Sequence, residues 1–179
     1  MIHQETSLIP TLSVLQNIFL GIEHKALPGI IDERRARKDF QVVCERLSFL
    51  LPAERLARDL SVAEQKMTEI MKAMVRNASL IIMDEPTDAL ADVEITHLFK
   101  IIRDLKKESI TILYITHYLD EVFQISDRIT VLRDGKKVGT RPTAELDKDA
   151  IVNPYTTCPL PSPGNRLRVE IPAGEKRYH

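Results

Sequence analysis

The 179-residue sequence has no tryptophan, only two cysteines, no excess of charge of either sign and no long apolar run. Cys44 falls on an apolar helical stripe and Cys158 in a proline-rich tail. The two give no disulfide framework and fit a reducing cytosol. Lysine plus arginine number 25 against 26 acids, a formal charge of −1, which argues against a nucleic-acid surface or an acidic tail. No apolar stretch approaches the roughly 18 residues needed to cross a bilayer, and the polar N-terminus does not read as a signal peptide. Any work at a membrane then falls to a partner. The length is that of one domain able to bury a core.

The most informative stretch is Ser79 to Thr87, a short apolar run ending in Asp84, Glu85 and Pro86. Flanked by helical patterns, it reads as a strand buried on both faces, as in a parallel sheet, which places the two acids at its C-terminal edge. Ligands bind at that edge in open α/β sheets; Asp84 suits Mg²⁺ and Glu85 suits a base for water. Pro86 forbids further pairing and turns the chain outward.

Around this strand the chain alternates helix and strand. Leu15, Ile18 and Phe19 share one face of a short helix that Gly21 closes. A helix is expected from Asp32 to Leu51, with Asp32 as cap and Phe40, Val43, Cys44, Leu47 and Leu50 as its stripe. Ser61 and Glu64 form a capping box, so a firm helix start is expected near Val62, with Met67, Ile70, Met71 and Met74 on its apolar face. Asp92 is expected to cap a helix carrying Ile95, Leu98, Phe99, Ile102 and Leu105. Ile110 to Thr116 reads as a central strand ending in His117, Tyr118 to Ile125 as a short helix, and Ile129 to Leu132 as another strand. Asp134-Gly135 supplies a tight reversal into a returning strand from Lys136 to Thr140. Beyond about Asp147 the pattern fails. Five of the ten prolines, Pro154, Pro159, Pro161, Pro163 and Pro172, lie there, and a disordered tail is the expectation for 147–179.

The ordered set Leu60-Ser61-Val62-Ala63-Glu64-Gln65, Ile81-Ile82-Met83-Asp84-Glu85-Pro86 and Ile115-Thr116-His117 resembles the ATP-binding subunit of ABC transporters. The likeness runs from about His3 to about Leu146. It implies an α/β fold: a partial P-loop NTPase core with parallel strands, a helical subdomain over about 5–77, a catalytic part over about 78–146 and a C-terminal β-hairpin. It also implies ATP and Mg²⁺ as cofactors, Asp84 and Gln4 at the metal, Glu85 as catalytic base, and Gln4 and His117 placing water and sensing the γ-phosphate. Ser61, Glu64 and Gln65 would form a signature meeting the nucleotide on an opposing subunit at a helix N-terminus. Thr87 to Asp92 stands where the family has its D-loop. Val62 and Ala63 replace the two glycines of the widespread Leu-Ser-Gly-Gly-Gln form, and the variant is similar to monosaccharide importers of the ribose, galactose and xylose type. Partners implied are a second ABC ATPase domain, a transmembrane permease and, indirectly, a sugar-binding protein. Nucleic acid is not among them. The implied location is peripheral, on the cytoplasmic face of the cell membrane.

The family grips phosphate with Gly-x-x-x-x-Gly-Lys-Ser/Thr, whose backbone N–H groups and lysine surround the anion. None of the six glycines here precedes a Lys-Ser or Lys-Thr pair. The sequence therefore reads as the water-activating half of such a site, in a truncated subunit. A non-catalytic fragment that only binds a partner ATPase or permease is the alternative. A DNA-repair or translation ATPase of the same family is a third reading, with no basic patch or heptad pattern in its favour.

Overall fold

The computed structural model describes residues 2, 6–27, 30–133, 135–146 and 167–171. Helix α1 (Val14–Phe19) is followed by a small antiparallel pair, β1 (Lys25–Leu27) and β2 (Ile30–Ile31), then α2 (Glu33–Leu47), a 3-10 turn (Ala57–Asp59) and α3 (Val62–Val75). Strand β3 (Leu80–Asp84) leads through α4 (Asp92–Lys107) to β4 (Thr111–Thr116), and α5 (Leu119–Ile125) leads to the hairpin β5 (Arg128–Arg133) and β6 (Lys136–Pro142). A last strand, β7, spans Leu167–Ile171. The main sheet has the order β3-β4-β7-β5-β6. β3 and β4 are parallel, while β7 is antiparallel to both β4 and β5.

Helices α1, α2 and α3 pack their apolar stripes together. Leu15, Ile18, Phe19, Phe40, Val43, Cys44, Leu47, Ile70, Met71 and Met74 are all buried, in one core continuous with Ile81, Met83 and Ile102. Asn17, fully buried, pins the loop ahead of α1: its Oδ1 accepts from the Ile9 N–H at 2.8 Å, and its Nδ2 donates to the Ile9, Leu12 and Ser13 carbonyls at 3.1–3.2 Å. Gly21 takes φ +81°, as a helix-closing glycine does. The hairpin turn also forms, with Arg133 opposite Lys136 and Gly135 at φ +73°.

The expected capping box on α3 is present. The Ser61 hydroxyl accepts from the Glu64 N–H at 3.2 Å, and the Glu64 carboxylate accepts from the Ser61 N–H at 2.9 Å. Ser61→Ala is expected to cost about 1 kcal/mol of stability, read as a lower urea midpoint with unchanged slope.

Five expectations need correcting. Helix α2 ends at Leu47, not Leu51, because Ser48 adopts the left-handed conformation (φ +50°) and its N–H closes on the Cys44 and Glu45 carbonyls. Leu50 thereby leaves the stripe and is 85% exposed. The cap of α4 is Ala91, not Asp92: the Glu94 carboxylate accepts from the Ala91 N–H at 2.9 Å, and Asp92 is the first helical residue. β3 is not covered along its whole length, since Leu80 is half exposed at its start. A fifth difference lies in the stretch read as a tail, where Leu167–Ile171 is a strand in the middle of the sheet.

Candidate functional site

β3 and β4 lie in parallel register with Asp84 opposite Ile115, so their C-terminal ends coincide. The Asp84 N–H donates to the Ile2 carbonyl at 3.0 Å, and the Glu85 N–H donates to the Ile115 carbonyl at 2.8 Å. These bonds hold the acidic pair at the sheet edge. Glu85 takes φ +47°, in the left-handed region that a side chain bearing a Cβ adopts at a cost. Its carboxylate is nearly buried and its Oε1 lies 3.5 Å from His117 Nδ1. Asp84, Glu85 and His117, three residues picked out from the sequence, thus come to one edge of the sheet.

His117 is half open to solvent and stacks on Tyr118 at 4.0 Å between ring centroids. Its strand end is fixed from beneath by a buried network. The Tyr114 and Thr116 hydroxyls donate to Glu121 Oε2 at 2.8 and 3.1 Å, and Thr116 Oγ1 accepts from the Tyr118 N–H at 3.0 Å. Burial, reinforced by the Glu121 carboxylate, pushes the Tyr114 phenol well above its ordinary range, so it stays a donor. Beside this edge a groove of about 650 Å³ is lined by Thr87, Asp92, Phe99, His117, Tyr118 and Glu121 among others.

Ser61 and Glu64 line a different, smaller cavity of about 350 Å³. Glu64 also pairs with Arg55 at 2.7 Å, and Gln65 Nε2 donates back to the Leu60 carbonyl at 3.2 Å. All three side chains therefore organise the start of α3. The Ser61 hydroxyl keeps its own proton to donate. Gln4 lies outside the described residues.

Sequence reasoning passed over two groups at this site. One is the Tyr114–Thr116–Glu121 network, whose only trace in the sequence is a polar residue at alternate positions of an apolar strand. The other is Lys66, one turn into α3 and only 6% exposed. Burial pulls its ammonium below the usual lysine range, opposed by the carboxylates of Glu69, Asp88 and Asp84. A buried cation thus sits among the acids. Glu69 is itself tied down, its Oε1 accepting from both the N–H and the hydroxyl of Ser7 at 2.8 and 2.9 Å.

The donors at the sheet edge are hard oxygens, which suit Mg²⁺. Among the described residues no three His, Cys, Asp or Glu side chains could by themselves hold a metal ion. A cation held through Asp84 would need oxygens from a phosphate and from water, the manner in which Mg²⁺ is commonly bound.

The sequence pattern of the family described as ABC transporter matches residues 1–88. The chain is 44% identical over 153 residues to the ribose import ATP-binding protein RbsA of Clostridium tetani, covering 85% of this chain and 30% of that protein. It thus spans less than a third of that relative's length. Among solved structures, it is similar to MJ1267, an ATP-binding cassette of an ABC transporter, with a TM-score of 0.71 and 26% identity, covering 86% of this chain and 64% of that one. It is also similar to the ATP-binding cassette MJ0796, in a dimeric post-hydrolysis state bound to ADP and Pi, with a TM-score of 0.64 and 25% identity, covering 79% and 61% of the two chains.

Proposed function

We propose, on the premise that this chain belongs to the ABC transporter family, that it carries the water-activating part of an ATP-binding cassette serving sugar import. The observation that carries this reading is the contact between Glu85 and His117 at the shared C-terminal edge of two parallel strands. In that reading Glu85 takes a proton from the water that attacks the γ-phosphate, and His117 holds carboxylate and water in line. Mg²⁺, when bound with the nucleotide, would neutralise phosphate charge, and Asp84 and Gln4 are the residues that would hold it. Ser61, Glu64 and Gln65, at the N-terminal end of α3, face the nucleotide of a second cassette. The dimeric state named for MJ0796 supports such pairing. The helical part, about 5–77, meets a permease on the cytoplasmic face of the membrane, and a sugar-binding protein delivers the cargo. Among the described residues no helix is long and apolar enough to cross a membrane.

A second reading, a subunit that binds a partner without turnover, is favoured by one observation. The 179 residues hold no Gly-x-x-x-x-Gly-Lys-Ser/Thr phosphate grip. Calorimetric titration with Mg²⁺-ATP separates the two. The purified chain is expected to bind weakly, and joining to it the part of the Clostridium tetani relative that precedes the matched stretch is expected to strengthen binding, with Asp84→Asn weakening it again. Binding that does not change with Asp84→Asn in a folded, joined protein would remove Asp84 from the site and favour the second reading.

A further inference from the structure

The turn that follows β3 holds two non-glycine residues in the left-handed region, Glu85 at φ +47° and Ala89 at φ +65°. A side chain bearing a Cβ adopts that region at a cost, so such a turn persists only where its surroundings hold it. Within it the Asp88 N–H donates to the Glu85 carbonyl at 3.3 Å, a long bond, and the Leu90 N–H to the Thr87 carbonyl at 3.0 Å. On one side the Glu85 N–H anchors the turn to Ile115 of β4. On another it meets α3, where Lys66 and Met67 line a cavity together with Leu90. Lys66 is only 6% exposed, and a lysine is so deeply covered only where acids offset the loss of water. The acids that act on it are Glu69, one turn on along α3, and Asp88 and Asp84. Glu69 spends its Oε1 on the N–H and hydroxyl of Ser7. Asp84 and Asp88 bracket Glu85 along the chain.

We infer that Lys66 is a positioning residue: its buried ammonium, set among Asp84 and Asp88, holds the left-handed turn that carries Glu85 against the start of α3. Lys66 lies one turn in from the Ser61–Glu64 box, so the same stretch of helix joins the box to the acidic edge of the sheet. Charge rather than bulk is what the position requires. An apolar side chain of similar length would fill the space without the cost of burying a cation, and only the attraction of the acids offsets that cost. The effect on turnover rests on the reading of Glu85 as the base. The effect on the turn does not.

Lys66→Met tests it on the full chain, since methionine keeps an unbranched side chain in the space and removes the charge. Hydrogen exchange followed by NMR at the Asp88 and Leu90 amides is expected to be about tenfold faster in the variant, with the amides of α2 unchanged. Asp88→Asn opens the same pairing from its less covered side and decides the matter even where Lys66→Met does not fold. It is expected to speed the same two amides, and to add little when combined with Lys66→Met. Unchanged exchange at these amides in either folded variant, acceleration spread evenly over the turn and α2, or full addition in the double variant would overturn the assignment. In the joined protein, Lys66→Met is expected to slow ATP turnover by about 10²-fold with nucleotide affinity retained. Faster exchange in the turn with unchanged turnover would uphold Lys66 as the residue that holds the turn and would remove Glu85 from proton transfer.

Discussion

Replacing Glu85 with glutamine is expected to lower ATP turnover by about 10²- to 10⁴-fold, some 3–5 kcal/mol of barrier, while nucleotide is still held. The measurement is phosphate release by the chain joined to the preceding part of the Clostridium tetani relative, with affinity followed by calorimetry. The size follows from what the side chain can no longer do. Glutamine keeps the shape and the hydrogen-bonding edge of glutamate but cannot accept a proton from water. Glu85 sits almost buried at the end of β3, its N–H fixed to Ile115 and its carboxylate 3.5 Å from His117. The backbone bond to Ile115 does not depend on its charge. Affinity lost in parallel with turnover would assign Glu85 to nucleotide binding instead of proton transfer.

The second large effect is on stability. Glu121→Ala is expected to destabilise the fold by about 2–4 kcal/mol, because the Tyr114 and Thr116 hydroxyls both lose their acceptor in a buried place. For a chain of this size that corresponds to a fall in Tm of roughly 2–4 °C per kcal/mol, read by calorimetry or circular dichroism. Tyr114→Phe removes a single donor and leaves Glu121 bonded to Thr116, so its cost is smaller, about 1 kcal/mol. The Thr116 hydroxyl also fixes the Tyr118 N–H, so the loop bearing His117 loosens in Glu121→Ala as well as the core. Equal effects of the two substitutions would mean that the network contributes only through packing.

Local chemistry made much of this fold legible in advance. The Ser61–Glu64 box, the reversal at Gly135 and the closing Gly21 are each determined by residues within a few positions of one another, although Asp134 of that reversal lies outside the described residues. The two apolar runs ending at Asp84-Glu85 and His117 were readable for a different reason: parallel strands align their C-terminal ends, so chemistry written at the ends of two such runs meets in space. The ABC motifs added the order of those pieces. What the sequence hid is what depends on distant partners. Asn17 and Lys66 look like ordinary polar positions until the elements close over them. Leu50 continues a helical period, yet Ser48 turns left-handed and ends the helix first. Leu167-Arg168-Val169-Glu170-Ile171 does alternate apolar and charged residues, a strand signal only five residues long inside proline-rich chain, while its partners β4 and β5 lie far away in sequence.

The central claim is that Glu85 and His117 act as one unit on the attacking water. A double-substitution cycle on ATP turnover in the joined protein tests it most directly, with Glu85→Gln, His117→Ala and the pair measured under one condition. The account predicts strong non-additivity: the pair is about as slow as Glu85→Gln alone, because His117 has little left to position once the base is gone. Effects that multiply, each substitution slowing the reaction by its full factor in the presence of the other, would contradict it.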